Sequence, residues 1–384
     1  MTENLVPYSL PTGADLIDDD FTADEKVSVA SQWKLVWWKF KSHRLALIGL
    51  IVLSALYLAV IFGAFLAPSD PTQRDSKNIF VPPQRIHFMG ENGFSLRPFV
   101  YAYDQKIDLS TLERVSTPDR TKEYPVNFFV RGSSYTLLGF IDSNIHLFGV
   151  EEPGTIYLLG TDEFGRDFLS RLIIGGQISL SIGVVGIFFS FILGMALGGI
   201  SGYYGGTTDV LVQRLIELLL CLPTIPLWMA LASILPVDWS TVRIYFMITV
   251  ILSLLGWPQI ARVVRGKLLS VREEDFVMAA RLAGAREYQI IGKHLLPSTF
   301  SYLIVALTLA IPSMILSETA LSFLGLGLQP PVVSWGVLLQ QAQNVRTIAL
   351  YPWLLAPAVM IILVVLCFNF VGDGLRDAAD PYVR

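Results

Sequence analysis

The feature that most constrains this chain is a series of long apolar runs. Six of them occur, at about 45–67, 178–201, 211–235, 244–257, 299–323 and 352–371. As an α-helix, the first run reaches about 35 Å, which exceeds the roughly 30 Å hydrocarbon core of a bilayer. The composition agrees, because 53% of the residues are hydrophobic and only 16% are charged. The sequence therefore predicts an all-α polytopic membrane protein with six transmembrane helices.

Basic residues predict the orientation of these helices. The stretch before the first run, WKLVWWKFKSHR, combines Trp33, Trp37 and Trp38 with basic side chains and is typical of an interfacial helix. The connection between the fourth and fifth runs is also basic, with Arg262, Arg265, Lys267, Arg272, Arg281, Arg286 and Lys293. The positive-inside rule places both segments in the cytoplasm. An even number of spans then leaves both chain termini on that side.

This topology divides the chain into four parts. Residues 1–44 form a cytoplasmic tail, acidic at Asp18, Asp19 and Asp20, followed by the interfacial helix, and 45–67 is the first span. Residues 68–170 form an extracytoplasmic insert, and 171–384 hold spans two to six. The insert contains strand-like runs, FSLRPFVYAY, YPVNFFVRG and GTIYLLG, which predict a β-rich insert. A long ordered loop packed on the spans is the alternative.

Several function classes find no support in the residues. A net charge of −4 argues against a broad surface for nucleic acid. There is no Walker A sequence to hold nucleotide phosphates, and the four histidines lack metal-ligand spacing. We therefore expect a protein that is not an enzyme and that binds no cofactor or metal of its own.

Two acidic residues and a set of glycines stand out within the apolar runs. Glu217 and Glu318 fall where a charge costs roughly 2.5–3.5 kcal/mol at the bilayer centre. Such groups line a translocation path or form a hydrogen bond to a neighbouring helix, and both interpretations stay open. Gly194 and Gly198, continued by Gly202, have the G-x-x-x-G spacing of closely packed helices. The packing partner is this chain or another subunit.

The polar connection between the fourth and fifth runs contains a second patch of small residues. It includes the stretch DFVMAARLAGAREYQIIGKHLLP, residues 275–297. On one helix, Ala279, Ala280, Ala283 and Gly284 cover an arc of roughly 140°. Charged side chains flank this patch, namely Arg281, Arg286 and Glu287, and Pro297 is expected to stop the helix. The pattern predicts a docking helix near 275–293, and a solvated linker is the alternative.

The same stretch resembles the EAA loop of ABC-importer permeases. Ala279, Ala280, Gly284, Leu296 and Pro297 match that pattern, while Met278 stands where the pattern has glutamate. Further stretches resemble the dipeptide/oligopeptide/nickel branch of these permeases, namely LGTDEFGRDFLSRLIIGGQISLSIG, GYYGGTTDVLVQRLIELLLCLPTIP, SETALSFLGLGLQPPVVSWGVLL and FNFVGDGLRDAADP. These matches cover about 157–384 and the basic entry to the first span.

The resemblance implies an architecture and a function. Such a permease lies in the bacterial inner membrane and has a second permease subunit, two cytoplasmic ATPase subunits and an external solute-binding protein as partners. ATP and Mg²⁺ are used by the ATPases, to which the coupling helix would dock. Peptides are the expected substrates, with oligosaccharides, opines or nickel as alternatives. A stand-alone secondary transporter and a membrane receptor are the rival functions.

Overall fold

The computed structural model describes residues 32–90, 93–107, 114–137, 139–236 and 238–379. The acidic residues of the predicted tail, Asp18, Asp19 and Asp20, lie outside these ranges, and the side chain of Trp33 is also not described. Within the described ranges, five helices are long and apolar enough to cross a membrane. A bent pair of helices adds a sixth crossing if it is counted as one span. The chain is a helical membrane protein with five or six apolar spans.

The helices are numbered in chain order. The first half of the chain contains α1 (Gln32–Ser42), α2 (Arg44–Ile61), α3 (Gly63–Leu66) and α4 (Phe168–Tyr204). The middle contains α5 (Gly206–Cys221), α6 (Thr224–Ala232), α7 (Thr241–Val271), α8 (Asp275–Leu282) and α9 (Glu287–Gln289). A π-helical turn (Ile290–Leu295) leads into α10 (Leu296–Phe323), which is followed by α11 (Trp335–Gln341), α12 (Val345–Leu350), a 3₁₀ turn (Pro352–Leu355) and α13 (Ala356–Ala379).

The third apolar run, predicted as one helix over 211–235, is broken into α5 and α6. The two helices meet at an angle of 86°. Pro223 lies at the break, and both Pro223 and the preceding Leu222 have extended backbone angles. Proline has no N–H to donate within a helix, and its ring disfavours helical geometry at the residue before it. The run is one crossing if the bent pair is counted as a single span, but it is not one continuous helix.

The second and fourth spans are longer than their apolar runs. The second begins at Phe168 instead of 178, because the carboxylate of Asp167 accepts a hydrogen bond of 2.8 Å from the backbone N–H of Ser170 and caps the helix. The fourth, predicted at 244–257, extends over the 31 residues of α7. Its last turns are polar, and hydropathy does not detect the polar ends of a helix that leaves the apolar layer.

The first and last spans pack against each other, and α1 lies across their ends. A Cβ atom added at Gly49 of α2 would lie 2.9 Å from the carbonyl oxygen of Cys367 in α13, so the two helices are in close contact. Phe40 of α1 is buried in the hydrophobic cluster that these two helices share. The outward side of α1 exposes Trp37 and Trp38, each with a lysine ammonium 5.1–5.2 Å from its ring centre. This amphipathic side suits a membrane interface.

Residues between α3 and α4 contain two antiparallel sheets. The first has the order β1 (His87–Gly90), β2 (Gly93–Ile107), β3 (Arg114–Pro125), and the second pairs β4 (Asn127–Leu137) with β5 (Ile141–Gly149). Two side chains attach the second sheet to α3 and its end. The Nδ1 atom of His146 lies 2.6 Å from the carbonyl oxygen of Ala67, and the rings of Phe129 and Phe65 are 6.3 Å apart. The second sheet therefore packs against the segment that directly follows the first span.

One of the three strand-like runs does not form a strand. The run GTIYLLG, residues 154–160, is irregular. Its Tyr157 exchanges hydrogen bonds with Gln84, but one of the two acceptors is the side-chain Oε1 of Gln84 instead of a backbone carbonyl. A side chain thus replaces the regular ladder of a sheet. Ile156 and Tyr157 are buried, so this segment packs within the insert against the residues that precede β1.

Candidate functional site

The predicted docking helix corresponds to α8, which lies between α7 and α10. The buried face of α8 is anchored by Val277, whose side chain is fully buried. Val277 packs in a cluster contributed by α4, α7, the π-helical turn and α10, which includes Tyr203, Val264, Leu268, Ile290, Leu295 and Leu303. The other apolar side chains of α8 are exposed, namely Phe276, Met278 and Leu282. Leu282 is 87% exposed, so with Phe276 and Met278 it forms an exposed apolar patch on one short helix.

The helix is shorter than predicted, because it ends at Leu282 instead of continuing to 293. The backbone N–H of Ala285 donates to the carbonyl of Ala280, and that of Gly284 donates to Arg281. This pair of bonds is a Schellman motif, and it requires the left-handed backbone that Gly284 adopts with φ of 80°. Ala283 and Gly284 therefore belong to a turn and do not share a helix face with Ala279 and Ala280.

The four small residues nevertheless form an open surface at the end of α8. Ala279, Ala283 and Gly284 are exposed, and Ala280 is partly buried. A Cβ atom added at Gly284 would meet nothing within 4 Å. The patch is thus accessible to another molecule, although it is built from a helix end and a turn.

The charged residues beside this patch contact the end of α4. The guanidinium of Arg281 lies 5.5 Å from the ring centre of Tyr203, and the carboxylate of Glu287 accepts a 2.9 Å hydrogen bond from the hydroxyl of Tyr204. The backbone N–H of Arg286 donates to Gln289 and helps to cap α9. Two of the three charges predicted to direct docking therefore connect α8 and α9 to the second span.

Pro297 does not stop a helix as predicted. It lies in the first turn of α10, where a missing N–H costs little, and Leu296 begins that helix. The π-helical turn Ile290–Leu295 joins α9 to α10 without a break in the helical path. The connection therefore passes directly into the fifth span, and a movement of α8 has a short route to the membrane helices.

The glycines of the second span pack against the fourth span of the same chain. A Cβ atom at Gly194 would lie 2.7 Å from the side chain of Ile260, and one at Gly198 would lie 2.5 Å from the carbonyl oxygen of Ala261. Gly202 continues this contact along α7. Of the two partners left open by the sequence, the structure assigns this surface to a contact within the chain.

The two glutamates of the apolar runs have different surroundings. Glu318 is fully buried, and its carboxylate accepts hydrogen bonds from the hydroxyls of Ser179, at 3.2 Å, and Ser322, at 2.9 Å. The hydroxyl of Ser179 also accepts a bond from the backbone of Trp335. Glu318 thus holds α4, α10 and α11 together, and within this chain it has the surroundings of a packing residue.

Glu217 lies on the exposed surface of α5. Its carboxylate is 2.8 Å from the guanidinium of Arg214, one turn earlier, and both side chains are largely exposed. Neither is enclosed by the described part of the chain. An exposed ion pair on an apolar helix leaves Glu217 available to a partner or a path outside this chain.

Two buried or partly buried ion pairs were not predicted. Asp209 of α5 makes a bidentate contact with Arg265 of α7 and accepts a hydrogen bond from Ser201 of α4. This network joins three helices near α8. The two charges are separated by many residues, and the sequence offers only the hint that each borders an apolar run.

The second missed network lies at the start of α4, beside the insert. The carboxylate of Asp162 is 2.7 Å from Arg166 and 3.4 Å from Arg171, and all three side chains are buried. Burial also raises the pKa of neighbouring Asp167 to about 6, despite its hydrogen bonds from Ser170. The run GTDEFGRD contains most of these residues, so its charge density was the available signal.

Two family models match separate parts of the chain. The one described as binding-protein-dependent transport system inner membrane component matches 194–384, which includes α8. The one described as the N-terminal transmembrane domain of oligopeptide transport permease C matches 31–83. All five strands lie between the two matched regions.

Curated relatives extend this similarity. The chain is 42% identical over 229 residues to the oligopeptide transport system permease protein OppC of Haemophilus influenzae, covering 59% of this chain and 71% of that protein. It is 40% identical over 234 residues to the dipeptide transport system permease protein DppC of Bacillus subtilis, covering 60% and 71%. OppC of Bacillus subtilis is 29% identical over 363 residues, 94% of this chain and 93% of its own. That last alignment must include most of the insert.

Among solved structures, an inward-facing MetNI methionine ABC transporter aligns with 54% of this chain and 95% of its own, at 21% identity. The TM-score of this alignment is 0.43.

Proposed function

The chain belongs to the family of binding-protein-dependent transport system inner membrane components, and on that premise we propose that it imports peptides as a permease subunit of an ABC transporter. It forms half of the translocation path. The relatives with 40–42% identity are named for oligopeptide or dipeptide transport, which supports peptides as the substrate class. Oligosaccharides, opines or nickel are the alternative substrates within the same family.

The proposed topology has six spans in the bacterial inner membrane. The bent α5–α6 pair counts as the third span, which gives the even number that leaves both termini in the cytoplasm. The basic residues around α8 then lie on the cytoplasmic side, and β1–β5 lie outside. The amphipathic α1, with Trp37 and Trp38 exposed beside lysines, supports an interfacial helix before the first span.

The proposed partners are a second permease subunit, two cytoplasmic ATPase subunits and an external solute-binding protein. The chain binds no cofactor itself, and ATP and Mg²⁺ act in the ATPase subunits. Glu217, exposed on α5, faces the second permease or the path between the two subunits. Glu318, Gly194 and Gly198 act in helix packing.

The single observation that carries the coupling proposal is the exposed apolar surface of α8. Phe276, Met278 and Leu282 project from a helix that is held on its other side by the buried Val277 and by the contact of Arg281 with Tyr203. A soluble partner that covers these side chains removes them from water, which favours association at about 25 cal/mol for each Å² of apolar surface. Because Met278 replaces an acidic residue, the proposed contact depends on apolar shape more than on charge.

The contacts of α8 with the spans explain how docking would be transmitted. The buried cluster around Val277 connects α8 to α4, α7 and α10. The Tyr204–Glu287 hydrogen bond and the Asp209–Arg265 ion pair add polar links to the same helices. When the ATPases close, α8 moves as part of this unit, and the spans change between two packed arrangements.

The test is ATP-dependent peptide uptake by the assembled transporter in proteoliposomes, with Gly284→Val and Gly284→Asn as matched variants. Valine strongly disfavours the positive φ of this turn, whereas asparagine tolerates it. We expect Gly284→Val to lower uptake at least about tenfold, equivalent to about 1.4 kcal/mol, and Gly284→Asn to retain most of it. Equal amounts of all three proteins in the membrane are the control for folding.

Normal uptake by Gly284→Val at normal protein levels would reject the coupling role of this turn. The rival functions give other results in the same assay. A stand-alone secondary transporter takes up peptide without ATP, and a membrane receptor shows no uptake when its ATPase partners are present.

A further inference from the structure

The sheet β1–β2–β3 carries a pocket of about 530 Å³, which falls within the range of small-molecule sites. The pocket lies between the residues that precede β1 and the faces of β2 and β3. Its polar and aromatic lining consists of Gln84, Arg85, His87, Tyr101, Tyr103 and Arg120. No Asp or Glu lines it.

Hydrogen bonds hold the wall of this pocket in place. Gln84 is buried, its Nε2 donates to the carbonyl of Tyr101 at 3.2 Å, and its Oε1 accepts from the backbone of Tyr157 at 2.6 Å. These bonds fix the backbone next to Arg85, which is exposed and lines the pocket. On the opposite wall, the ring of Tyr101 packs 4.9 Å from that of His87. The pocket is therefore formed by the strands of this sheet and by a segment before β1 that hydrogen bonds hold in place.

The two arginines of the pocket have no acidic partner within 4 Å in the described ranges of the chain. The acid next to Arg120 is Asp119, but its carboxylate accepts 2.6 Å and 3.1 Å hydrogen bonds from Thr121 and lies 3.3 Å from the ammonium of Lys122. Burial raises the pKa of Tyr103, and the nearby charge of Arg85 lowers it in part. The pocket thus combines uncompensated positive charge with aromatic walls.

We propose that this pocket binds the carboxylate end of a small solute that has an apolar or aromatic body. A guanidinium pairs with a carboxylate through two parallel hydrogen bonds, so Arg85 and Arg120 supply the charge recognition. The rings of Tyr101, Tyr103 and His87 contact the body of the solute. The choice of a peptide C-terminus as the source of the carboxylate rests on the proposed function.

The test is isothermal titration calorimetry of the full-length chain, purified in detergent, with two probes of equal shape. One is the dipeptide alanyl-phenylalanine, and the other is its C-terminal amide, which lacks the negative charge. We expect saturable binding of the acid and at least about tenfold weaker binding of the amide, since a charge-assisted pair is lost. The double variant Arg85→Gln/Arg120→Gln should lose this preference, and Arg85→Lys/Arg120→Lys should retain part of it.

The control is Arg97→Gln/Arg131→Gln, which removes two exposed arginines that do not line the pocket. It should bind the acid as the unaltered chain does. Equal binding of acid and amide, or undiminished binding of the acid by Arg85→Gln/Arg120→Gln, would overturn the site, and so would the absence of binding at about 10 mM probe. ATP-dependent uptake by the assembled transporter is measured separately, so a failed site and a failed import function give different results.

Discussion

Two surfaces of small residues in this chain have opposite surroundings. Gly198 on α4 faces the backbone of Ala261 so closely that an added Cβ would lie 2.5 Å from a carbonyl oxygen. Gly284, after α8, faces open space. Both surfaces were predicted from the spacing of glycine and alanine. Such spacing identifies a smooth surface, but only the structure shows whether the chain itself covers it.

The two membrane glutamates repeat this contrast between enclosed and open positions. Glu318 is surrounded by its own chain and receives two serine hydroxyls, while Glu217 is exposed beside Arg214. At both positions the sequence shows the same feature, a charged side chain within an apolar run, which is costly to insert into a membrane. Enclosed residues should therefore determine the stability of the isolated chain, and open residues should matter mainly when partners are present.

The largest expected effect concerns the enclosed glycine. Gly198→Ala places a methyl group against backbone atoms that cannot rotate away, and we expect it to lower the free energy of unfolding by about 3 kcal/mol. The matched control is Gly199→Ala, where the added Cβ would meet only a methyl of Ile291 at 3.9 Å. The apparent melting temperature of the chain in detergent measures both. Similar melting temperatures for the two variants would contradict the close packing of α4 on α7.

A smaller effect is expected at the enclosed glutamate. Glu318→Ala leaves the hydroxyls of Ser179 and Ser322 without their acceptor, at a cost of about 2 kcal/mol. Glu217→Ala removes only an exposed ion pair and should change stability by less than about 0.5 kcal/mol. The melting temperature in detergent is again the measurement. If Glu217→Ala proved the more destabilising, the division into enclosed and open positions would fail.

The third effect is a pH dependence that develops gradually from an enclosed carboxyl in the loop before α4. Because burial raises the pKa of Asp167 to about 6 from the ordinary aspartate value of 3.8, the folded chain retains a proton that the unfolded chain loses. Its stability should fall as pH rises from about 4 to 6, by up to about 3 kcal/mol over the whole window.

Asp167→Asn removes this carboxyl but retains a side chain that caps a helix well. The melting temperature of this variant should increase relative to that of the unaltered chain as pH rises from about 4 to 6. A constant difference between the two proteins from pH 4 to 7 would show that Asp167 does not titrate as described. Asp275→Asn, at an exposed position of α8, serves as the control.

Apolar length predicted the location of the spans, because membrane crossing depends on a local property of the chain. The prolines of the third run, Pro223 among them, signalled an interruption, but not its angle of 86°, since prolines also occur within continuous membrane helices when neighbouring groups compensate for the lost hydrogen bond. The end of α8 depends on the left-handed turn at Gly284, and helical periodicity does not register such a turn.

Long-range contacts could not be predicted at all. Asp209 and Arg265 lie on different helices, and their pairing depends on how α5 packs against α7. The pocket on β1–β2–β3 likewise requires a strand register that brings Arg120 towards Arg85. The sequence supplies these side chains, but only the three-dimensional arrangement of distant segments brings them together.

The measurement that tests the coupling role of α8 most directly is site-specific photo-crosslinking in cells that express the complete transporter. A photoreactive phenylalanine analogue replaces Leu282, which is 87% exposed, and in a control it replaces Val345 of α12, which is 81% exposed. We predict a covalent adduct between the Leu282-substituted chain and an ATPase subunit, identified by mass spectrometry, and no such adduct from Val345. An active transporter that gives no ATPase adduct at Leu282 would contradict the docking of α8.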